Sequence, residues 1–258
     1  MDRLPKRTKD KSTKFNLGVL KRVFGNWHWY LFVMLWSVAG ENISYCVNTL
    51  FALWLKHAGY SVAQRNNYPL GIYAVGIIST FGTSLYVDLT GAKYHWHVAI
   101  WICLTLTIST ILLLVKPLDP VPVFIAHILA GTSYSGQAIY FAWCNVVCSN
   151  DLEERAITLA SMNMFSSVVN SWWSIVFYKA TDVPKWRKGC FAMFGTCFAT
   201  LFIAGTLRFL QLRDQKVAAG HVEDDESLST VDQEQGDTVG PVVDDENVSM
   251  NNEKNKVV

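Results

Sequence analysis

Six long apolar stretches, each separated from the next by a short polar break, constrain this chain more than any other feature. They run from about Trp27 to Leu55, Pro69 to Val87, Trp96 to Val115, Val121 to Cys148, Ile157 to Tyr178, and Cys190 to Leu210. A helix needs roughly 20 residues to cross about 30 Å of hydrocarbon. Inside that layer each backbone amide must find its partner within the segment, which makes the stretches helical. The sequence therefore predicts an all-α integral membrane protein with six transmembrane helices. Only 17% of the residues are charged, against about 25% in an average soluble domain. The ten tryptophans and ten tyrosines suit the headgroup region, where amphipathic rings are comfortable. A net charge of +1 provides no field that would favour nucleic acid.

Three regions follow from this pattern: a basic segment over 1–26, a six-helix membrane domain over 27–212, and an acidic tail over 213–258. The basic segment has no apolar core of its own, and the first apolar stretch is too long for a cleavable signal, so none is expected. Lysine and arginine favour the cytosolic flanks of membrane helices. With the N-terminus inside, the cytosolic flanks carry 13 such residues and the opposite flanks 7, so both termini are expected in the cytosol. The loop from Lys179 to Lys188 runs against that rule. The tail is rich in Asp, Glu, Asn, Gln and Ser with almost no aromatics, and is expected to lack order. The sequons at Asn42 and Asn247 fall in a span and in the tail, and both are expected to be inert. No internal repeat is evident.

Polar side chains within a span are costly and point to function. Glu41, Ser44, Tyr45 and Asn48 share one helical face, with Asn42 beside it. They suit either a cavity stripe with Glu41 as a proton site, or interhelical hydrogen bonds that only hold the bundle together. The fifth stretch presents Asn163, Ser167, Asn170, Ser171 and Ser174 at helical spacing. The fourth carries Gly131 to Gln137 and then Asn145, with Gln137 and Asn145 eight positions apart. Glycine and serine there also favour close packing or a bend.

All six cysteines lie in apolar stretches. Cys144 and Cys148 stand one turn apart without a sequence-adjacent His/Cys pair, which reads as packing and predicts no metal site. His95 and His97 flank Trp96 at a boundary and read as interfacial. A phosphate-cradling glycine loop, a serine elbow and a His-Glu-x-x-His helix are all missing. This places transport ahead of enzymology, with no cofactor expected.

The stretch from Asn145 through Glu154-Arg155-Ala156 to Ser161-Met162-Asn163-Met164 resembles the junction of helices ten and eleven in fungal major facilitator superfamily transporters. The likeness is to the allantoate permease or anion:cation symporter branch, with its pantothenate, biotin and nicotinate permeases. Leu53-Trp54-Leu55-Lys56 resembles the end of that branch's seventh helix. Asp88-Leu89-Thr90-Gly91-Ala92-Lys93 resembles a degenerate form of the superfamily's cytosolic loop, in which Asp88, Gly91 and Lys93 would form a tight turn with an acid and a base. The resemblance covers Gly25 to Gln215 and one of the family's two six-helix halves. It implies the C-terminal half of a proton-coupled symporter of small organic anions, truncated or split, in the plasma membrane. The implied partners are an anionic substrate, a co-transported proton, the bilayer and a complementary six-helix half. Cavity lining would then fall to Glu41, Asn42, Tyr45, Asn48, Gln137, Asn145, Asn163, Ser167 and Asn170. Asp88, Gly91, Lys93, Glu154 and Arg155 would form the cytosolic loop motifs. The alternative is a non-transporting remnant or a membrane interaction protein.

Overall fold

The computed structural model describes residues 17–47 and 50–238, and the side chains of 18–45 and 50–217. Asn48 and the second sequon at Asn247 lie outside the described residues. Every regular element among the described residues is helical. The helices are α1 (Leu17–Gly25), α2 (Trp27–Val47), α3 (Leu50–His57), α4 (Val62–Asn67) and α5 (Leu70–Leu89). They continue as α6 (His95–Val115), α7 (Pro120–Ala130), α8 (Ser135–Val147), α9 (Leu152–Phe177) and α10 (Arg187–Thr238). The chain divides after Phe209 into two compact units. The second unit contains the continuation of α10, so the acidic tail is helical as far as Thr238 rather than irregular from residue 213. No proline interrupts the stretch from 213 to Thr238, so every residue there has an amide to continue the ladder.

Three helical stretches among the described residues are long and apolar enough to cross a membrane: Val62–Leu89, His95–Val115 and Arg187–Val217. The other expected spans depart from that standard for physical reasons. In the first stretch, α2 carries Glu41 and Asn42 among its apolar residues. The fourth divides into α7 and α8 around a 3-10 turn at Gly131–Tyr134. The fifth, α9, has a polar face and two acids in its first turn.

The 3-10 turn leaves backbone groups that hydroxyls then satisfy. The Thr132 carbonyl accepts from Ser79 Oγ at 3.3 Å and from Ser135 Oγ at 2.7 Å. Ser109 Oγ of α6 donates to the Ala126 carbonyl at 2.8 Å. Thr105 and Thr132 pair through their hydroxyls at 2.6 Å. At this bend a Cβ on Gly131 would collide with the backbone carbonyl of Ile72, so glycine here sets how closely α5 approaches.

The pairings also give helix directions. Residues 28, 29, 40 and 44 of α2 meet 154, 161, 166 and 170 of α9 in rising order, so these helices run parallel. Phe32, Trp36 and Tyr45 meet Trp143, Tyr140 and His127 in falling order, so α2 runs antiparallel to the α7–α8 rod. The core lies between these helices and includes Phe32, Trp54, Ile102, Leu106, Tyr140, Trp143 and Met162. Phe81, Ile77 and Phe198 are more than 70% exposed, a distribution suited to lipid rather than water.

Candidate functional site

The polar residues singled out in the sequence fall into three places. The first is the buried seam between α2 and α9. Gly40 opens it, because a Cβ there would meet the Ser166 hydroxyl. Trp29 Nε1 donates to Ser161 Oγ at 3.0 Å, and Ser44 Oγ donates to Asn170 Oδ1 at 2.9 Å. Asn42 turns toward α10, where Thr196 Oγ1 donates to its Oδ1 at 2.9 Å and its Nδ2 reaches Thr200 Oγ1 at 3.5 Å. Asn42 thus ties α2 to α10 through its side-chain amide.

Glu41 differs from its neighbour. It is 1% exposed, and neither carboxylate oxygen has a hydrogen-bond partner among the described residues. Ser44, the hydroxyl one turn along, lies near it but donates to Asn170 instead. Tyr45, next on this face, stacks on His127 with centroids 5.8 Å apart and also packs against Tyr178. His127 is 1% exposed, lies against Phe51 as well, and its Nε2 has no hydrogen-bond partner among the described residues. Sequence reasoning missed His127, although an ionisable residue in mid-span was the available signal. Glu41, Ser44 and Tyr45 of the α2 stripe thus point into the bundle.

The second place is the outer face of α9. Asn163, Ser167, Asn170 and Ser171 are exposed there. Ser167 Oγ donates back to the Asn163 carbonyl and Ser171 Oγ to the Ser167 carbonyl, both at 2.8 Å. Such back-bonding lets hydroxyls sit on an apolar helix without orphaned donors. On α8, Gln137 and Asn145 are also exposed, with Asn145 Nδ2 bonded to the Phe141 carbonyl at 3.0 Å. Of the nine residues expected to line one cavity, only Ser44's neighbour Asn170 bridges from this face to the α2 seam. A recess of about 540 Å³ along α5, lined by Tyr73, Gly76, Ile77, Thr80, Phe81, Ser84 and Tyr134, includes none of them.

The third place contains the loop motifs. Asp88, Gly91 and Lys93 form the turn from α5 to α6, with Asp88 and Lys93 exposed. Gly91 has φ +65°. Its N–H donates to the Asp88 carbonyl at 3.1 Å, and the Ala92 N–H donates to the Val87 carbonyl at 2.9 Å. This is a Schellman closure, and it accounts for the glycine on conformational grounds. Glu154 is buried at the start of α9, where its Oε1 accepts from Asn26 Nδ2 at 3.2 Å and lies 2.9 Å from His28 Nδ1. Asp151 caps the helix, accepting from the N–H groups of Glu153 and Glu154. Arg22 of α1 bridges Asp151 at 2.8 Å and Glu153 at 2.9 Å. Arg155, half-buried, begins the ladder by donating its N–H to the Asp151 carbonyl at 3.0 Å.

Known proteins fit this arrangement. The chain is 45% identical over 212 residues to a pantothenate transporter of Saccharomyces cerevisiae, a match that covers 82% of this chain and 41% of the yeast protein. It is 32% identical over 216 residues to a pantothenate transporter of Schizosaccharomyces pombe, covering 83% of this chain and 42% of that one. An MFS transporter of Pestalotiopsis fici is 23% identical over 216 residues, covering 81% of this chain and 40% of the relative. The chain thus spans about two-fifths of the length of the curated relatives it matches. These relatives are transporters, not enzymes, and they support a helical membrane protein concerned with transport. No protein-family model matches the chain. No solved structure matches it.

Proposed function

We propose that this chain is the C-terminal six-helix half of a major facilitator carrier of small organic anions, of the pantothenate type, coupled to protons through Glu41. The observation that carries the reading is the amide and hydroxyl face of α9, exposed on an otherwise apolar helix. In carriers built from two halves, substrate binds near the midplane where the halves meet, and access alternates as one half rocks on the other. An exposed row of Asn163, Ser167 and Asn170 suits that meeting surface. No cation lies among these residues, so a substrate carboxylate would be held by amide and hydroxyl donors or by the complementary half.

The alternating directions of α2, the α7–α8 rod and α9 are those required of six crossings, with α5, α6 and α10 as the remaining spans. Both termini would lie in the cytosol and the bilayer would be the plasma membrane. The boundaries at residues 26 and 212 would then delimit the membrane domain. Asp88, Lys93 and the Glu154 cluster would occupy its cytosolic face. Glu41, buried and with no hydrogen-bond partner within distance among the described residues, is well placed to exchange a proton as neighbouring helices shift.

The test is uptake of labelled pantothenate, biotin, nicotinate and allantoate by cells lacking their own carriers. The chain is expressed alone or with an N-terminal half from the same family, and its presence at the surface is verified. The expected result is no saturable uptake by the chain alone and recovery with the complementary half. Robust uptake by the chain alone would overturn the half-carrier reading.

A further inference from the structure

The polar cluster beneath α1 contains more than an ion pair. His28 Nδ1, Cys148 Sγ and a Glu154 carboxylate oxygen all lie within 4.8 Å of one another. They come from three elements: the first turn of α2, the end of α8 and the first turn of α9. Cys148 is 2% exposed and Glu154 5%, so two of the three donors are withdrawn from water.

We propose that His28, Cys148 and Glu154 bind a single divalent cation of the zinc class, with the fourth position left to water. The donor chemistry is one imidazole, one carboxylate and one thiol, the mixed N, O and S set that suits a four-coordinate ion of intermediate softness. The spacing is close to what is needed. Two light-atom ligands on one tetrahedral zinc, each at about 2.0–2.1 Å, stand roughly 3.3 Å apart. His28 Nδ1 and Glu154 Oε1 are already 2.9 Å apart. The Cys148 thiol, within 4.8 Å of both, needs to close by roughly 1 Å, which rotamer adjustment at a helix end allows. One thiolate and one carboxylate balance the charge of a dication. Asn26 Nδ2, donating to Glu154 at 3.2 Å, would hold the carboxylate in place as an outer partner. The His28 side chain is 20% exposed and leaves a way in for the ion. Bound metal would staple the ends of α2, α8 and α9 together, independently of what the bundle carries.

The experiment is a titration of the purified full chain in detergent with Co²⁺, whose thiolate complexes show ligand-to-metal charge-transfer absorption. The expected result is one equivalent bound with that absorption, displaced by Zn²⁺ and untouched by Mg²⁺. Cys148→Ser should abolish the charge-transfer band. His28→Gln and Glu154→Gln should each weaken binding by about tenfold or more. Far-UV circular dichroism checks that the variants keep their helices. If a variant fails to fold, the wild-type spectrum still decides, because no thiolate absorption with stoichiometric Co²⁺ overturns the site. Binding that is unchanged in folded Cys148→Ser and His28→Gln also overturns it, leaving His28 and Glu154 as an ion pair only.

Discussion

Replacing Glu41 by methionine separates a functional carboxyl from a structural one, because the two roles predict opposite signs. A buried polar group without a partner costs about 1–3 kcal/mol. Both Glu41 oxygens are in that condition, at 1% exposure. Methionine has similar length and no polar atom, and adapts to irregular space. Glu41→Met should therefore stabilise the bundle by about 2 kcal/mol. For a unit of this size each kcal/mol moves the melting temperature by roughly 2–4 °C, so the midpoint should rise by about 4–8 °C. The adjacent Asn42→Ala should do the reverse. It removes the bonds to Thr196 and Thr200, and interhelical bonds in membranes average about 0.6 kcal/mol each, so a fall of about 2–5 °C is expected. The assay is thermal unfolding of the detergent-solubilised chain, followed by size-exclusion recovery or tryptophan fluorescence. In parallel, Glu41→Gln in the paired, transporting protein should remove the pH dependence of uptake while surface abundance stays level. A drop in the melting temperature of Glu41→Met would refute the reasoning, since it would mean that the carboxyl holds the bundle together. Retained pH dependence in Glu41→Gln would reduce Glu41 to packing.

Three further outcomes follow from named contacts. Gly131→Ala drives a Cβ into the Ile72 carbonyl and should cost about 1–3 kcal/mol, whereas Gly82→Ala enters open space and should gain up to about 1 kcal/mol. The comparison is read as melting temperature in the same assay, and equal midpoints would count against the tight α5 contact. Asn163→Leu and Ser167→Leu, on the exposed face of α9, should leave the melting temperature within about 2 °C while impairing uptake in the paired protein. Normal uptake would detach that face from the substrate path. A C-terminal reporter active only outside the cytosol would contradict the proposed orientation.

Hydrophobic length is a local property, so the apolar segmentation was readable directly. The helices α5 and α6 match the second and third stretches to within a few residues, whereas α9 begins at Leu152, ahead of the apolar stretch expected from Ile157, because Asp151 caps it. The turn at Gly91 was expected from the loop's resemblance to the superfamily's cytosolic motif, and the glycine has φ +65° there. Helix rotation is not local. Glu41 and Asn42 are consecutive, yet Glu41 has no hydrogen-bond partner among the described residues and Asn42 is tied to α10, because what each meets depends on which neighbour packs on that side of α2. Asn163 and Ser167 have the same polarity as Ser44, but they face outward while Ser44 is sealed in the α2–α9 seam. The division of the fourth stretch at Gly131–Tyr134 depended on hydroxyls of α5 and α6 standing ready to take the freed carbonyls. Cys144 and Cys148 read as packing residues because the sequence holds no histidine near them. Folding brings His28 to Cys148 from 120 positions away, a convergence produced by the antiparallel packing of α2 on α8.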